Sequence, residues 1–300
     1  MAGYGALWRA RLTVLRPGNA AMAATGVLVG LVHAAGRLGG PGAVGPATWV
    51  GAPLAAFLVT AAGNVLNDLV DRDLDRAAHP GRPLASGVLS VRDAATFASL
   101  LLGLGLLEAF LAGGVPTLVF AAGVALALVA YERWLKATPL LGNVTVALLV
   151  AATFLFGASA AGALSGPRGA SAPLWGLAAM AFLVNVAREL WKDLEDVDAD
   201  RAVRRTFPAR FGRRSTNGLC LATVGGAVAL SALVAGRVDR PAAARIVLLL
   251  ADLVFLWALA RGLGDPAAGQ RWLKAAMLLA LAAFLAGFLA DALDAQGSLQ

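Results

Sequence analysis

Residues 47–75 read ATWVGAPLAAFLVTAAGNVLNDLVDRDLD, an apolar run of about twenty residues that leads straight into four aspartates. A run of that length crosses the hydrocarbon core of a bilayer as a helix. Residues 173–200, PLWGLAAMAFLVNVARELWKDLEDVDAD, repeat the design. Asp68, Asp71 and Asp75 are matched 125 residues later by Asp193, Asp196 and Asp200. Positions three and seven apart share a helix face, so each cluster is expected to project its carboxylates in one direction. Like charges repel there. Such stripes beside apolar helices call for a cationic partner, most simply a divalent metal.

Composition points to the same class. The chain is 59% hydrophobic and 14% charged, outside the range of ordinary soluble domains. It therefore reads as an all-α polytopic membrane protein. Its net charge of +7 would suggest nucleic acid only if the basic residues formed a soluble patch. They fall instead in short loops between apolar spans, so no nucleic-acid partner is expected, and no obligate protein partner is evident. The single cysteine, Cys220, excludes an internal disulfide and a cysteine-based metal cage. Arg9, Arg11 and Arg16 lead into a full-length apolar span with no evident cleavage site, and this first span is expected to be retained.

Nine spans can be counted between charged or Gly/Pro-rich breaks: 19–36, 47–66, 94–112, 115–131, 140–162, 173–190, 217–236, 244–261 and 272–290. The third and fourth are separated only by Gly113-Gly114 and Pro116, so eight is the alternative count. Charge favours nine. With the N-terminus inside, 20 of the 25 Lys and Arg residues fall on the cytoplasmic side, as the positive-inside rule requires. The reading is a multi-pass plasma-membrane protein with a cytoplasmic N-terminus and an outer C-terminus. Both acidic clusters then lie on the cytoplasmic side, and ten of the 18 acidic residues lie within them or between Glu189 and Asp193. The matched carboxylates suggest one domain, 1–300, made of two pseudo-repeats (19–131 and 140–261) and a final helix (272–290) around a central cavity.

Each acidic stripe precedes a basic loop, which holds Arg82 in the first case and Arg204, Arg205 and Arg210 in the second. Magnesium takes oxygen ligands from one or two carboxylates plus substrate phosphate, and arginine forks onto phosphate oxygens. Acid and base together read as a site for a magnesium diphosphate, with an apolar cavity for the rest of the substrate. The ordinary alternative is solvated loop charge or lipid anchoring. The doubled spacing, shared side and adjoining basic loops weigh against it for Asp71, Asp75, Asp196 and Asp200, and less strongly for Asp68 and Asp193. Asp73, Glu195 and Asp198 lie off the stripe and are read as solvated or ion-paired. Asn64, Asn143 and Asn185 either line the cavity or bond between helices. Glu108 and Asp252, inside spans, are left unassigned. His33 and His79 form no ligand pair. Trp8, Trp49, Trp134, Trp175 and Trp272 suit an interfacial belt.

The pattern Asn67-x-x-x-Asp71-x-x-x-Asp75, followed by Arg82-Pro83-Leu84-Ala85-Ser86-Gly87 and later by Asp193, Asp196 and Asp200, resembles the UbiA superfamily of intramembrane prenyltransferases across nearly the whole chain. Finer segments are most similar to the branch that builds archaeal-type ether lipids. These are Leu15–Asn19, Leu140–Asn143 with Thr153–Gly157, and Arg188–Asp196. Ala199 and Phe207 depart from that branch's pattern. Aromatic-acceptor members often carry Tyr-x-x-x-Lys, whereas Leu135 is fourth after Tyr131 and Lys136 follows; this weakens an aromatic reading.

The resemblance implies Mg²⁺ held by Asn67, Asp71 and Asp75 and by Asp193, Asp196 and Asp200, with Asp68 also in the catalytic set. Arg82, Lys136 and Arg205 would hold a prenyl diphosphate. At branch level the donor would be geranylgeranyl diphosphate and the lipid-like acceptor geranylgeranylglyceryl phosphate, its phosphate near Arg188. A quinone-precursor prenyltransferase is the alternative enzyme, and a transporter or lipid-binding module the alternative class.

Overall fold

The computed structural model describes residues 4–164, 171–200, 205–235 and 242–297, and most of these are helical with no strand among them. A short N-terminal helix, α1 (Tyr4–Leu15), leads into α2 (Pro17–Leu38), α3 (Pro46–Val70), α4 (Arg72–Ala78) and α5 (Val91–Ala130). There follow α6 (Leu141–Ala160), α7 (Ala172–Glu195), α8 (Val197–Asp200), α9 (Phe207–Ala235), α10 (Ala242–Gly264) and α11 (Pro266–Gly297). Several helices run beyond the apolar windows read from sequence, because a helix does not stop where its hydropathy does.

Among the described residues, eight helical segments are long and apolar enough to cross a membrane, and one of them, Val91–Leu135, has 45 residues. As one rod it would be about 68 Å long, more than twice the ~30 Å hydrocarbon core. It is not one rod. Gly113 (φ −151°, ψ 16°) and Gly114 (φ 70°, ψ −157°) leave helical geometry, and the second of these conformations is open essentially to glycine alone. The chain reverses here. On α3, Gly51 meets Ala112 and Gly105 meets Val59 in an antiparallel sense, whereas Gly63 meets Leu128 further along the second arm. The carbonyls freed by the break find side-chain donors: Thr48 Oγ1 donates to Ala112 O at 2.6 Å and Thr117 Oγ1 to Gly113 O at 3.2 Å. This is the satisfaction that a break within a membrane demands. With the two arms of α5 counted separately, nine spans are present among the described residues.

The spans form a ring in which α2 packs on α3, α3 on α5, α5 on α6, α6 on α7, α7 on α9, α9 on α10, α10 on α11, and α11 back on α2. Large apolar side chains cover the outside; Val50 is 70% exposed and Leu126 72%. In water such a surface would be a liability, but in lipid it is the solvated face. Trp8, Trp134, Trp175 and Trp272 are likewise exposed near span ends, while Trp49 donates to Pro41 O. Cys220 is buried in the α7–α9 packing, near Ala187 O. His33 shares a 2.6 Å hydrogen bond with Ser171 and packs on Phe288, a structural role.

Where α2 and α6 cross, backbone meets backbone. A β-carbon on Gly30 would overlap the Phe154 carbonyl, and one on Gly157 would overlap the Val27 carbonyl. Small residues are what permit such close approach in a membrane. Gly157→Leu is expected to force α2 and α6 apart at ~1–3 kcal/mol or more, read as a lower unfolding midpoint in detergent; an unchanged midpoint would contradict the close contact.

Candidate active site

Both acidic clusters share a backbone plan. α3 ends on Asp71 (φ −83°, ψ −1°), whose N–H donates to Asn67 O at 2.9 Å. α7 ends on Asp196 (φ −88°, ψ 3°), whose N–H donates to Lys192 O at 3.0 Å. In each case the first aspartate rides the transmembrane helix, the middle one terminates it, and the last lies on a short following helix, α4 or α8. The stripe expected on one continuous helix is therefore broken at its centre. The side chain of Asp200 lies outside the described residues.

In the first cluster every carboxylate has its own cation. Asp68 pairs with Arg16, Asp71 accepts from Lys136 Nζ at 2.6 Å, and Asp75 accepts from Arg82 Nη1 at 2.7 and 2.8 Å on its two oxygens. All three aspartates are buried, at 4%, 8% and 6% exposure; buried carboxylates need such partners. Arg82 is aimed by its loop: Leu84 and Leu89 are buried in one core with Val14, Val65 and Ala94, and Leu89 N–H donates to Pro83 O, turning the segment back on itself. Asp73, on the opposite side, is 72% exposed and pairs with Arg72 and Arg76.

Sequence reasoning missed Glu132. It is buried and accepts from Asn67 Nδ2 at 2.8 Å and from Lys136 Nζ at 2.9 Å, so it joins the first cluster to the lysine. The available signal was its i,i+4 spacing to Lys136. Tyr131–Leu135 forms a π-helical turn in which Lys136 N–H donates to Tyr131 O at 2.9 Å. Such a turn absorbs one extra residue. It returns Lys136 to the face of Tyr131, with Nζ 5.9 Å from the ring centroid. The spacing departure seen in sequence is thus compensated and does not by itself argue against an aromatic acceptor.

In the second cluster Asn143, at the start of α6, donates to Asp193 Oδ2 at 2.8 Å. Glu189, 6% exposed, accepts from Arg188 at 2.6 Å and lies 3.8 Å from Lys192 Nζ. Glu195 accepts from Gln270. Trp191 holds this segment in place. It is fully buried, donates to Asn217 Oδ1 at 3.2 Å, and its ring fills space that a β-carbon on Gly262 would occupy. Trp191→Ala is expected to destabilise by ~3–5 kcal/mol, measured as loss of folded protein in detergent; a change below 1 kcal/mol would show that the ring is not an anchor.

Between the clusters opens a cavity of about 360 Å³. Asn67, Glu132, Arg188, Glu189 and Lys192 line its polar end, and Val59, Leu149, Phe154 and Phe284 are among the apolar residues lining it. Of the predicted residues, Asn67 and Arg188 line the cavity directly, while Asp71, Asp75, Arg82 and Lys136 form the ionic layer beside it. The Arg205 side chain is exposed, and its backbone N–H donates to Ala137 O at 3.3 Å, tying the second loop to the Lys136 segment. Asn64 donates to Leu15 O and Asn185 to Ala181 O, and Asn185 also lines the cavity. No group of three acidic, histidine or cysteine side chains is close enough to hold a metal among the described residues. The donors themselves suit a hard cation: Asp71 and Asp75 are carboxylates, and the Asn67 amide oxygen takes no hydrogen bond among the described residues. In this structure the Asp71 and Asp75 carboxylates are held by the Lys136 ammonium and the Arg82 guanidinium.

An all-α, multi-pass membrane protein with a central apolar cavity capped by layered carboxylates and cations is the class that fold and site define. The UbiA prenyltransferase family model matches residues 23–285. The chain belongs to the UbiA prenyltransferase family and is a prenyltransferase. It is 41% identical over 299 residues to digeranylgeranylglyceryl phosphate synthase of Methanopyrus kandleri, covering 94% of this chain and 100% of that protein. Among solved structures, a digeranylgeranylglyceryl phosphate synthase superposes with a TM-score of 0.71 at 26% identity, covering 95% of this chain and 99% of the other. A UbiA homolog from Archaeoglobus fulgidus bound to GPP and Mg²⁺ superposes at 0.68 with 21% identity, covering 94% and 99%, and shares the fold.

Proposed function

We propose that the chain transfers a geranylgeranyl group from its diphosphate to geranylgeranylglyceryl phosphate in ether-lipid synthesis, with Mg²⁺ as cofactor. The observation that carries this reading is the junction of the ionic layer with an apolar cavity, which suits a substrate with a charged head and a hydrocarbon tail. The 41% identity to a digeranylgeranylglyceryl phosphate synthase supports the choice of acceptor. Asn67, Asp71 and Asp75, with Asp193, Asp196 and Asp200, would hold the metal. The metal, when bound, neutralises charge developing on the departing diphosphate. Lys136 and Arg82, released from Asp71 and Asp75, turn to the diphosphate oxygens.

The donor's C1–O bond breaks with its electron pair leaving on the diphosphate. The apolar helices keep water from the allylic cation. A hydroxyl oxygen of the acceptor forms the new C–O bond, and its proton passes to a carboxylate at the polar end, where Glu132 and Glu189 are placed. The site faces the cytoplasm of a plasma-membrane protein, with the N-terminus inside and the C-terminus outside, as the charge asymmetry of the loops supports. Product analysis by mass spectrometry, using purified protein, several prenyl diphosphates, and glycerophosphate and aromatic acceptors, tests the reading. A doubly prenylated glyceryl phosphate is expected, and an exclusively aromatic product would overturn the choice of acceptor.

A further inference from the structure

Four cations line the cavity: Arg16, Arg188, Lys192 and Lys274. Three are compensated, Arg16 by Asp68, and Arg188 and Lys192 by the Glu189 they share. Lys274, near the start of α11, has no carboxylate or hydrogen-bond acceptor among the described residues. Its ammonium stands 4.0 Å from where a β-carbon on Gly18 would be, in the first turn of α2. This is the positive end of a 22-residue helix, an unfavourable place for an uncompensated ammonium. The preceding Arg16 takes the left-handed conformation (φ 48°, ψ 63°), which a non-glycine residue holds only under constraint, and its guanidinium joins the same wall.

The carboxylates that also line the cavity are Glu132, Glu189 and Asp252, so its four cations leave one positive charge in excess, and Lys274 is the cation with no carboxylate partner among the described residues. A diphosphate that arrives with divalent metal needs carboxylates around it, and the Asp71–Asp75 layer supplies them. A phosphate monoester without metal needs the reverse, an excess of fixed cations against its charge of nearly −2.

We propose that Lys274, with Arg188 across the same cavity, binds the phosphate monoester of the acceptor, separately from the metal-diphosphate layer, and so selects a phosphorylated glyceryl lipid. This rests on the acceptor reading given above. Lys274 is a binding residue here, and its loss should act on acceptor affinity.

The test compares wild type, Lys274→Met and Lys274→Arg in initial-rate assays with geranylgeranyl diphosphate and either geranylgeranylglyceryl phosphate or the same lipid without its phosphate. Lys274→Met is expected to raise the KM for the phosphorylated acceptor about tenfold or more, the scale of one charged hydrogen bond. The donor KM should stay within about twofold, Lys274→Arg should recover most of the loss, and the preference for phosphorylated over dephosphorylated acceptor should shrink. An unchanged acceptor KM in an active Lys274→Met enzyme overturns the inference alone, as does an equal rise in donor KM, which would place Lys274 on the diphosphate. A wild-type enzyme that prenylates no glyceryl phosphate at all overturns both the inference and the reading beneath it.

Discussion

Asp71→Asn is expected to slow prenyl transfer by about 10²–10³-fold, the usual loss when one preorganised electrostatic group is removed from a reacting site, while the protein stays folded. Asparagine keeps the shape of the side chain at the end of α3 and removes only its charge. Lys136 remains compensated, because Glu132 still accepts from it at 2.9 Å. Fold and function are thereby separated, which an alanine at this buried position would not guarantee. Diphosphate release measured with and without added Mg²⁺ checks the expectation, and turnover within tenfold of wild type would sink the assignment of Asp71 to the metal. Asp196→Asn should behave alike from the other cluster.

Lys136→Met is expected to destabilise the protein as strongly as loss of the Trp191 ring. The Lys136 side chain is 8% exposed and lies between the Asp71 and Glu132 carboxylates, themselves 12% and 6% exposed. Without the ammonium two buried carboxylates face each other, and breaking a buried pair from one side costs about 3–5 kcal/mol. A divalent cation among the same oxygens should restore part of that, so Mg²⁺ should raise the unfolding midpoint more in the variant than in the wild type. Thermal unfolding in detergent with and without Mg²⁺ reads this out. An equal or smaller Mg²⁺ response in the variant would indicate that lysine and metal do not share a site. The variant should also bind donor diphosphate more weakly, since it loses a phosphate-directed cation.

Much of the architecture was legible because a bilayer leaves few choices. Every backbone group must be satisfied within the segment that crosses it, so hydropathy and length count the helices. The ambiguity between eight and nine lay at Gly113-Gly114, where no hydropathy signal separates the arms; the backbone conformation of Gly114 and the bond from Thr48 to Ala112 O resolve it. The first cluster was legible as spacing, and its aspartates stand where the chain leaves the membrane. Glu132 was hidden, because its partners Asn67 and Lys136 meet only when α3 and the turn after α5 pack together. Arg205 was singled out for its place in a basic loop; the structure adds its exposure and its backbone bond to Ala137 O. Lys274 carried no motif. Its interest is that no carboxylate among the described residues compensates it, a property of its neighbours in space.

The sequence by itself determined the membrane class, the number of spans to within one, and the two carboxylate spacings, because these follow from hydropathy and helical period along the chain. Only the tertiary structure decided which cation sits on which aspartate, that the π turn carries Lys136 back over Tyr131, and that Lys274 faces the cavity with no carboxylate partner among the described residues. Electrostatic pairing depends on distance and burial between helices far apart in sequence, and those quantities exist only once the ring has closed.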